Sequence, residues 1–227
     1  MKVVDAPPGN PVVVKAWGEF ACFTRPEFGV ERVSYPTMTP TAAVGLLDAI
    51  FWKPEFRWRV TAIDTLRPLR WLQVRRNEIL GRQTQRIAAG WADGGDEGFD
   101  AAEHRNRTQR AGLILADVAY VIYAQVTLLP GVDAHPAKYR DQLRRRVSRG
   151  QCFERPYLGC REFAAQFGEA DSQEVPISWD DDLGPMIHSV YAGSDDHLAP
   201  ATANPLFFDA QVRSGRLAIP PLPEGRR

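Results

Sequence analysis

A chain of 227 residues with 44% hydrophobic side chains carries enough apolar material for a substantial core, which excludes disorder as a description of the whole. Its 28 basic and 28 acidic residues cancel, so it is not a general polycation that coats nucleic acid through net charge. It has no apolar run of about 18 residues and no basic leader followed by an apolar stretch, which predicts a cytoplasmic protein with no membrane partner.

Residues 12–23 are rich in β-branched and aromatic side chains and predict a strand. After a loop holding Pro26 and Pro36, Thr39 reads as a helix cap with Pro40 at the first helical position. Ala43, Leu46, Leu47, Ile50 and Phe51 then recur at helical spacing, predicting a helix over 40–52 that Pro54 ends. Residues 56–63 and 66–74 resemble one bent strand or two short ones, broken near Pro68. From Arg75 to Arg110 the apolar periodicity disappears. This long insertion, at about residues 75–112, is basic at both ends and acidic from Asp93 to Glu103, and reads as a functional excursion or a solvated loop.

Residues 113–129 predict a long buried strand, Pro136 opens and Gly150 closes a second helix, and residues 157–167 predict another strand. The order strand, helix, strand, strand, helix, strand is the α+β, ferredoxin-like (RRM-like) βαββαβ pattern, placed over residues 1–167. Short strands near 186–191, 206–212 and 216–219 predict a smaller β-rich C-terminal extension over 168–227. Cys22, Cys152 and Cys160 form an odd set without a CxxC pair in apolar or strand-like surroundings, which predicts reduced core thiols. The four histidines are scattered, so neither a metal site nor a cofactor is expected.

Charge is concentrated in the second helix. Between Lys138 and Arg149 stand Lys138, Arg140, Arg144, Arg145, Arg146 and Arg149 against one acid, Asp141, a surface suited to the phosphates of RNA or DNA. Arg144, Arg145 and Arg146 wrap most of a helical turn, so at least one turns toward solvent or protein. Lys138 near a helix N-terminus opposes the helix dipole, a conflict that a bound phosphate relieves. Tyr139, Leu143 and Val147 share one helical stripe, so Tyr139 also fits a core position.

The segment Gly150-Gln151-Cys152-Phe153, followed by Pro156-Tyr157-Leu158-Gly159-Cys160-Arg161-Glu162-Phe163, resembles the Cas-five subunit of type I-C CRISPR systems, the Dvulg subtype of the RAMP superfamily. Supporting blocks run in order from Trp17-Gly18-Glu19-Phe20 through Thr37-Met38-Thr39-Pro40, Ile50-Phe51-Trp52-Lys53-Pro54, Val74-Arg75-Arg76-Asn77 and Asp117-Val118-Ala119-Tyr120 to Arg144-Arg145-Arg146. They cover residues 12 to 167, whereas the C-terminal sixty match only loosely.

The resemblance implies a subunit that binds the 5′ handle of CRISPR RNA (crRNA) and cleaves the repeat hairpin of precursor crRNA. The implied reaction is metal-independent, with the ribose 2′-hydroxyl attacking the adjacent phosphate. Implied partners are the backbone, large and small subunits of the type I-C Cascade and, through that complex, target DNA.

In the family a lysine–histidine pair opens the second helix, and a phenol or histidine lies near the end of the first. The lysine falls on Lys138, the histidine position is Tyr139 and the first-helix position is Phe51. Tyr139 has an unperturbed pKa of ~10 and needs neighbouring cations such as Lys138 and Arg140 to act as a base. His135 and His104 are alternative imidazoles, and Phe51 is left for packing or base stacking. Expected RNA contacts are Arg25, Phe51, Arg75, Arg76, Arg107, Arg110, Arg140, Arg144, Arg145 and Arg149. The departures at Phe51 and Tyr139 motivate an alternative, a non-catalytic 5′-handle-binding structural subunit. A generic RNA-recognition module fits the charge and fold but not the ordered blocks.

Overall fold

The computed structural model describes residues 11–80, 84–93, 106–189 and 205–221. The strands are β1 (Val12–Ala21), β2 (Arg32–Val33), β3 (Phe56–Thr65), β4 (Trp71–Ile79), β5 (Arg107–Leu128), β6 (Gln166–Glu169), β7 (Asp181–Ser189), β8 (Leu206–Arg213) and β9 (Arg216–Ala218). The helices are α1 (Pro40–Ile50), α2 (Gln85–Ala92) and α3 (Pro136–Ser148). The described strands form one sheet in the order β6-β1-β5-β3-β9-β8-β7, with β2 and β4 also pairing to β5.

Its first four members, β6-β1-β5-β3, are mutually antiparallel. With α1 between β1 and β3, and α3 between β5 and β6, they reproduce the ferredoxin-like βαββαβ arrangement. The C-terminal strands extend the same sheet, because β9 pairs with β3 and β8 with β9.

Alternation sets the inner face of this sheet. Val12, Val14 and Ala16 of β1, Tyr120, Ile122 and Ala124 of β5, and Phe56, Trp58 and Val60 of β3 are all buried. Against them α1 lays Ala43, Leu46, Leu47 and Ile50, and α3 lays Tyr139, Leu143 and Val147. Thr39 caps α1 by accepting the amide of Ala42 at 3.3 Å, with Pro40 beginning the helix.

The insertion expected at 75–112 is more regular than its composition implied. β4 runs through Ile79, β5 begins at Arg107, and residues 85–92 form α2. The two strands make a ribbon with Arg75 opposite Ala111 and Ile79 opposite Arg107. β4 has no fully buried residue, so backbone pairing holds the ribbon and no apolar period marks it. β5 changes partners along its length: its first part pairs with β4 and its second with β3. Between them Asp117 takes a left-handed φ of 54°, and its carboxylate meets Arg67 and, at 3.5 Å, Arg70.

The strand expected over 157–167 is also corrected. Only an isolated bridge joins Tyr157 to Ala164, and β6 starts at Gln166. Between them the chain turns tightly, with the Leu158 amide donating to the Phe163 carbonyl at 2.8 Å and the Phe163 amide to the Cys160 carbonyl at 2.9 Å. Gly159 makes this turn possible. Its φ is +84°, and a Cβ there would lie 2.0 Å from the Cys22 carbonyl oxygen.

Of the three cysteines expected in the core, Cys22 is buried and Cys160 partly buried, but Cys152 is exposed, because it lies on the bend that follows α3. Among the described residues, no helix is long and apolar enough to cross a membrane.

Candidate nucleic-acid interface

His135 caps α3: its Nδ1 accepts the Ala137 amide at 3.2 Å, with Pro136 as the first helical residue. An Nδ1 that accepts carries no proton in this arrangement, so the hydrogen of the neutral ring sits on Nε2. Lys138 follows in the first turn, exposed, with its ammonium 5.2 Å from the centre of the Tyr139 ring. No acid occupies this turn, and Asp141, three residues on, is bonded to Arg140 and Arg144, so the dipole's aversion to a cation there is not offset within the turn.

The two aromatic positions of the expected site are packed inward, the core alternative for each, which corrects the expected RNA contact of Phe51. Tyr139 is 2% exposed, with its ring centre 4.7 Å from that of Phe56, and Phe51 is 1% exposed and lies 5.6 Å from Phe56. The Phe51 carbonyl accepts from the Trp58 indole at 3.0 Å. A ring closed off this far has no face left for a nucleobase. The physical reason is the apolar stripe on each helix, which turns both rings onto β3.

The arginines of α3 divide by their partners. Arg146 is the one turned inward: it donates to the Ile50 carbonyl at 2.7 Å and lies 5.2 Å from the Phe51 ring centre, tying α3 to the end of α1. Arg140 donates to Asp141 at 2.8 Å, and Arg144 reaches the Pro11 carbonyl at 3.0 Å and Asp141 at 3.7 Å. The hydrogen bond from Arg140 holds the Asp141 carboxyl below the usual carboxylate range, with the charges of Arg140, Arg144 and Arg145 acting in the same direction. Lys138, Arg145 and Arg149 are exposed on the same helix and its C-terminal cap.

A second basic group lies along the β4–β5 ribbon, and sequence reasoning found only part of it. Glu162 accepts from Arg32 at 2.9 Å and also binds Arg76. Glu78 takes Arg32 at 3.5 Å and Arg110 at 3.4 Å. Burial works against the ionised Glu162 carboxylate, but the hydrogen bond from Arg76 and the charges of Arg76 and Arg32 outweigh it, leaving the group below its ordinary range. Arg32 was missed because its two-residue strand has no periodicity to read.

Arg76 also lies 5.2 Å from the Phe163 ring centre, and Arg110 donates to the Val30 carbonyl at 3.1 Å, so both are built into the fold. Arg75 and Arg107 are exposed on the ribbon. Arg25 is spent elsewhere, donating to the Leu183 carbonyl of β7 at 3.2 Å and lying 4.7 Å from the Tyr35 ring centre. Apart from Arg25 and Phe51, the expected contacts thus fall on two elements, α3 with its cap and the ribbon. His104 lies outside the described residues.

A model of the family described as CRISPR-associated protein (Cas_Cas5) matches residues 12–184, spanning β1, both helices of the core and the Gly159–Phe163 turn. The chain belongs to this family. Its Cas5 relatives include the CRISPR pre-crRNA endoribonuclease Cas5d of Thermus thermophilus, 42% identical over 219 residues covering 91% of this chain and 90% of the relative. The protein of the same name from Mannheimia succiniciproducens is 37% identical over 222 residues, 93% and 96% of the two chains. Among solved structures, a CRISPR-associated protein superposes with a TM-score of 0.65 at 21% identity, covering 94% of this chain and 93% of that one. A functionally uncharacterized protein, SMU1763c of Streptococcus mutans, gives 0.64 at 19%, covering 96% and 95%. These two likenesses concern the fold.

In this Cas5 chain burial also shifts an acid of α1. Asp48, in the last turn of α1, has its carboxyl held up at about 6 by burial, against the opposing charge of Arg57. The folded state therefore holds this proton more tightly than the unfolded chain, whose ordinary value is 3.8. The resulting stabilisation is fully present below about pH 4 and is lost as pH rises through about 6. Replacing Asp48 with Asn is accordingly expected to stabilise the protein by about 1–2 kcal/mol at pH 8 and to change little at pH 4. Thermal melts of both proteins at the two pH values measure it, and an equal shift at both would remove the ionisation argument.

Proposed function

We propose that this chain is the precursor-crRNA endoribonuclease of a type I-C Cascade and that it retains the 5′ handle of the product. The observation that carries the reading is family membership through relatives named pre-crRNA endoribonuclease, at 37–42% identity over nine-tenths of the chain. An exposed lysine stands at the start of α3 to receive a phosphate. The chemistry assigned is attack by the ribose 2′-hydroxyl on the adjacent phosphate, forming a cyclic phosphate and releasing the 5′-hydroxyl fragment.

Lys138 stabilises charge on the phosphorane. His135, exposed three residues earlier with Nδ1 committed to the helix cap, presents Nε2 for proton transfer. Tyr139 enters as the ring beneath the Lys138 ammonium, a weakly attractive cation–π support, and Phe51 as packing. The exposed cations Arg75, Arg107, Arg145 and Arg149, with Arg140 and Arg144, supply phosphate contacts.

In this reading the ferredoxin-like part, residues 1–167, carries the RNA site, and residues 168–227 form the extension attached through β9. Contacts with the backbone, large and small subunits, and with target DNA through them, complete the proposal. The cytoplasm, where precursor RNA is made and guided, is its location.

The deciding experiment incubates purified protein with its own repeat RNA, with the same RNA bearing a single 2′-deoxy sugar at the cut site, and with EDTA. Cleavage of the natural RNA, unchanged by EDTA and abolished by the deoxy sugar, is the expected result. Cleavage that survives the deoxy sugar and dies in EDTA would overturn the mechanism. Tight binding of the repeat without any cleavage would favour the non-catalytic 5′-handle subunit, a reading that the packed Phe51 and Tyr139 also suit.

A further inference from the structure

The most exposed phenylalanine or tryptophan among the described residues is Phe153, at 78%. It does not sit on a loose loop. After α3 the chain turns at Gly150, whose φ is +62°, and the Gln151 amide donates back to the Arg146 carbonyl at 2.9 Å. The amides of Phe153 and Glu154 then both donate to the Ala49 carbonyl of α1, at 2.9 and 3.0 Å. Beyond them the Pro156 carbonyl accepts the Ala165 amide at 2.9 Å. The backbone is thus pinned before, at and after a residue whose ring is left in water. Turning that ring into the core instead would have gained roughly 1.5–3 kcal/mol, so an anchored backbone that keeps it out is a candidate recognition element.

Its surroundings name the kind of ligand. Trp52, 44% exposed, follows the helix end on which Phe153 is docked. Lys53 and Arg155 are exposed on these two segments and Arg145 and Arg149 at the end of α3, with Asp48, Glu55 and Glu154 the neighbouring acids. Flat aromatic faces among a majority of cations are what an unpaired nucleic-acid strand needs, with rings for its bases and cations for its phosphates. A protein partner's apolar side chain would gain nothing from the surplus of charge. The patch lies past the C-terminal end of α3 and Lys138 in its first turn, about 16 Å apart along the helix axis at 1.5 Å per residue, a span that a few nucleotides of one strand cover.

We propose that Phe153, docked on the end of α1 that Trp52 follows and set among Lys53, Arg149 and Arg155, is a stacking platform for an unpaired base of the repeat RNA flanking its hairpin. The inference rests on the RNA-binding reading above and adds a site to it. The platform grips the strand independently of the chemistry at Lys138, so its loss weakens binding and not the cleavage step.

The test measures binding of full-length protein to its repeat RNA made uncleavable by a 2′-deoxy sugar, by fluorescence anisotropy. Phe153→Ala is expected to weaken affinity about 10-fold, the size of one lost base–aromatic stack, and Phe153→Trp to restore it. Repeating the comparison with RNA whose flanking nucleotides are abasic should erase the difference between wild type and Phe153→Ala, because no base remains to stack. Phe153 is exposed, so the variants should melt like wild type. If wild type binds the RNA and Phe153→Ala binds equally well, the platform is overturned while the RNA-binding reading stands; this includes the case in which the variant loses only assembly with other Cascade subunits. If the affinity difference persists on abasic RNA, stacking is likewise refuted. If wild type fails to bind the repeat at all, it is the RNA-binding reading that has failed, and the platform falls with it.

Discussion

Lys138→Ala is expected to slow cleavage of the repeat RNA by about 10²–10³-fold under single-turnover conditions while changing affinity only a few-fold. The asymmetry follows from when the charge is needed. An exposed ammonium contributes little to ground-state binding, where it competes with water and salt and is one of several cations on α3. In the transition state the phosphorane oxygens gain charge beside it, and an interaction that strengthens only then appears in turnover and not in affinity. Lys138→Arg keeps the charge but changes its geometry and should recover part of the rate. Equal losses in rate and affinity would make Lys138 a plain phosphate-binding residue and would return the search for the catalytic cation to His135 and the rest of α3.

Arg216→Ala should be the most destabilising simple substitution in the C-terminal strands, at about 3–5 kcal/mol. Asp64 of β3 is 2% exposed, and its two oxygens receive Nε and Nη2 of Arg216 at 2.6 and 2.7 Å. The Tyr123 hydroxyl donates to Asp64 Oδ2 at 3.0 Å, and the Arg216 guanidinium lies 4.9 Å from the Tyr123 ring centre. Burial, joined by the charge of Asp64, pushes the Tyr123 phenol up to about 12, so it stays a proton donor across the working range.

Removing the arginine leaves a buried carboxylate with one neutral donor, and that uncompensated charge is the source of the cost. The pair also sits on the β3–β9 pairing that carries the C-terminal strands, with Asp64 directly opposite Arg216. Urea unfolding of Arg216→Ala and of Asp64→Asn/Arg216→Ala separates the contributions. The double variant should regain part of the loss, whereas a single-variant cost under about 1 kcal/mol would show that this pair is not what holds β9 in place.

How far the molecule could be read in advance depended on whether a residue's role is local. Thr39, Pro40 and Pro136 act within their own helical turns, and α1 and α3 begin where those residues predicted. The β4–β5 ribbon escaped because its order comes from pairing between residues distant in the chain, at Val74 with Gly112 for example, with no buried face on β4 to imprint a period. The block around Gly159 was read as a strand because its apolar residues suit one; the turn is imposed by the Cys22 backbone, 137 positions away in the chain.

The amino-acid sequence by itself determined the family, the ferredoxin-like order of elements and the concentration of cations on α3, because ordered motifs, helix caps and charge runs are properties of neighbouring residues. It also carried both readings of Tyr139, as a phenol beside Lys138 and as one position of an apolar stripe. Only the tertiary structure decided between burial and exposure. It closed Tyr139 and Phe51 against Phe56, spent Arg146 on the end of α1 and Arg25 on β7, and held Phe153 out in solvent. Which side of a residue meets water is settled by what the distant chain lays against it, and no local pattern encodes that.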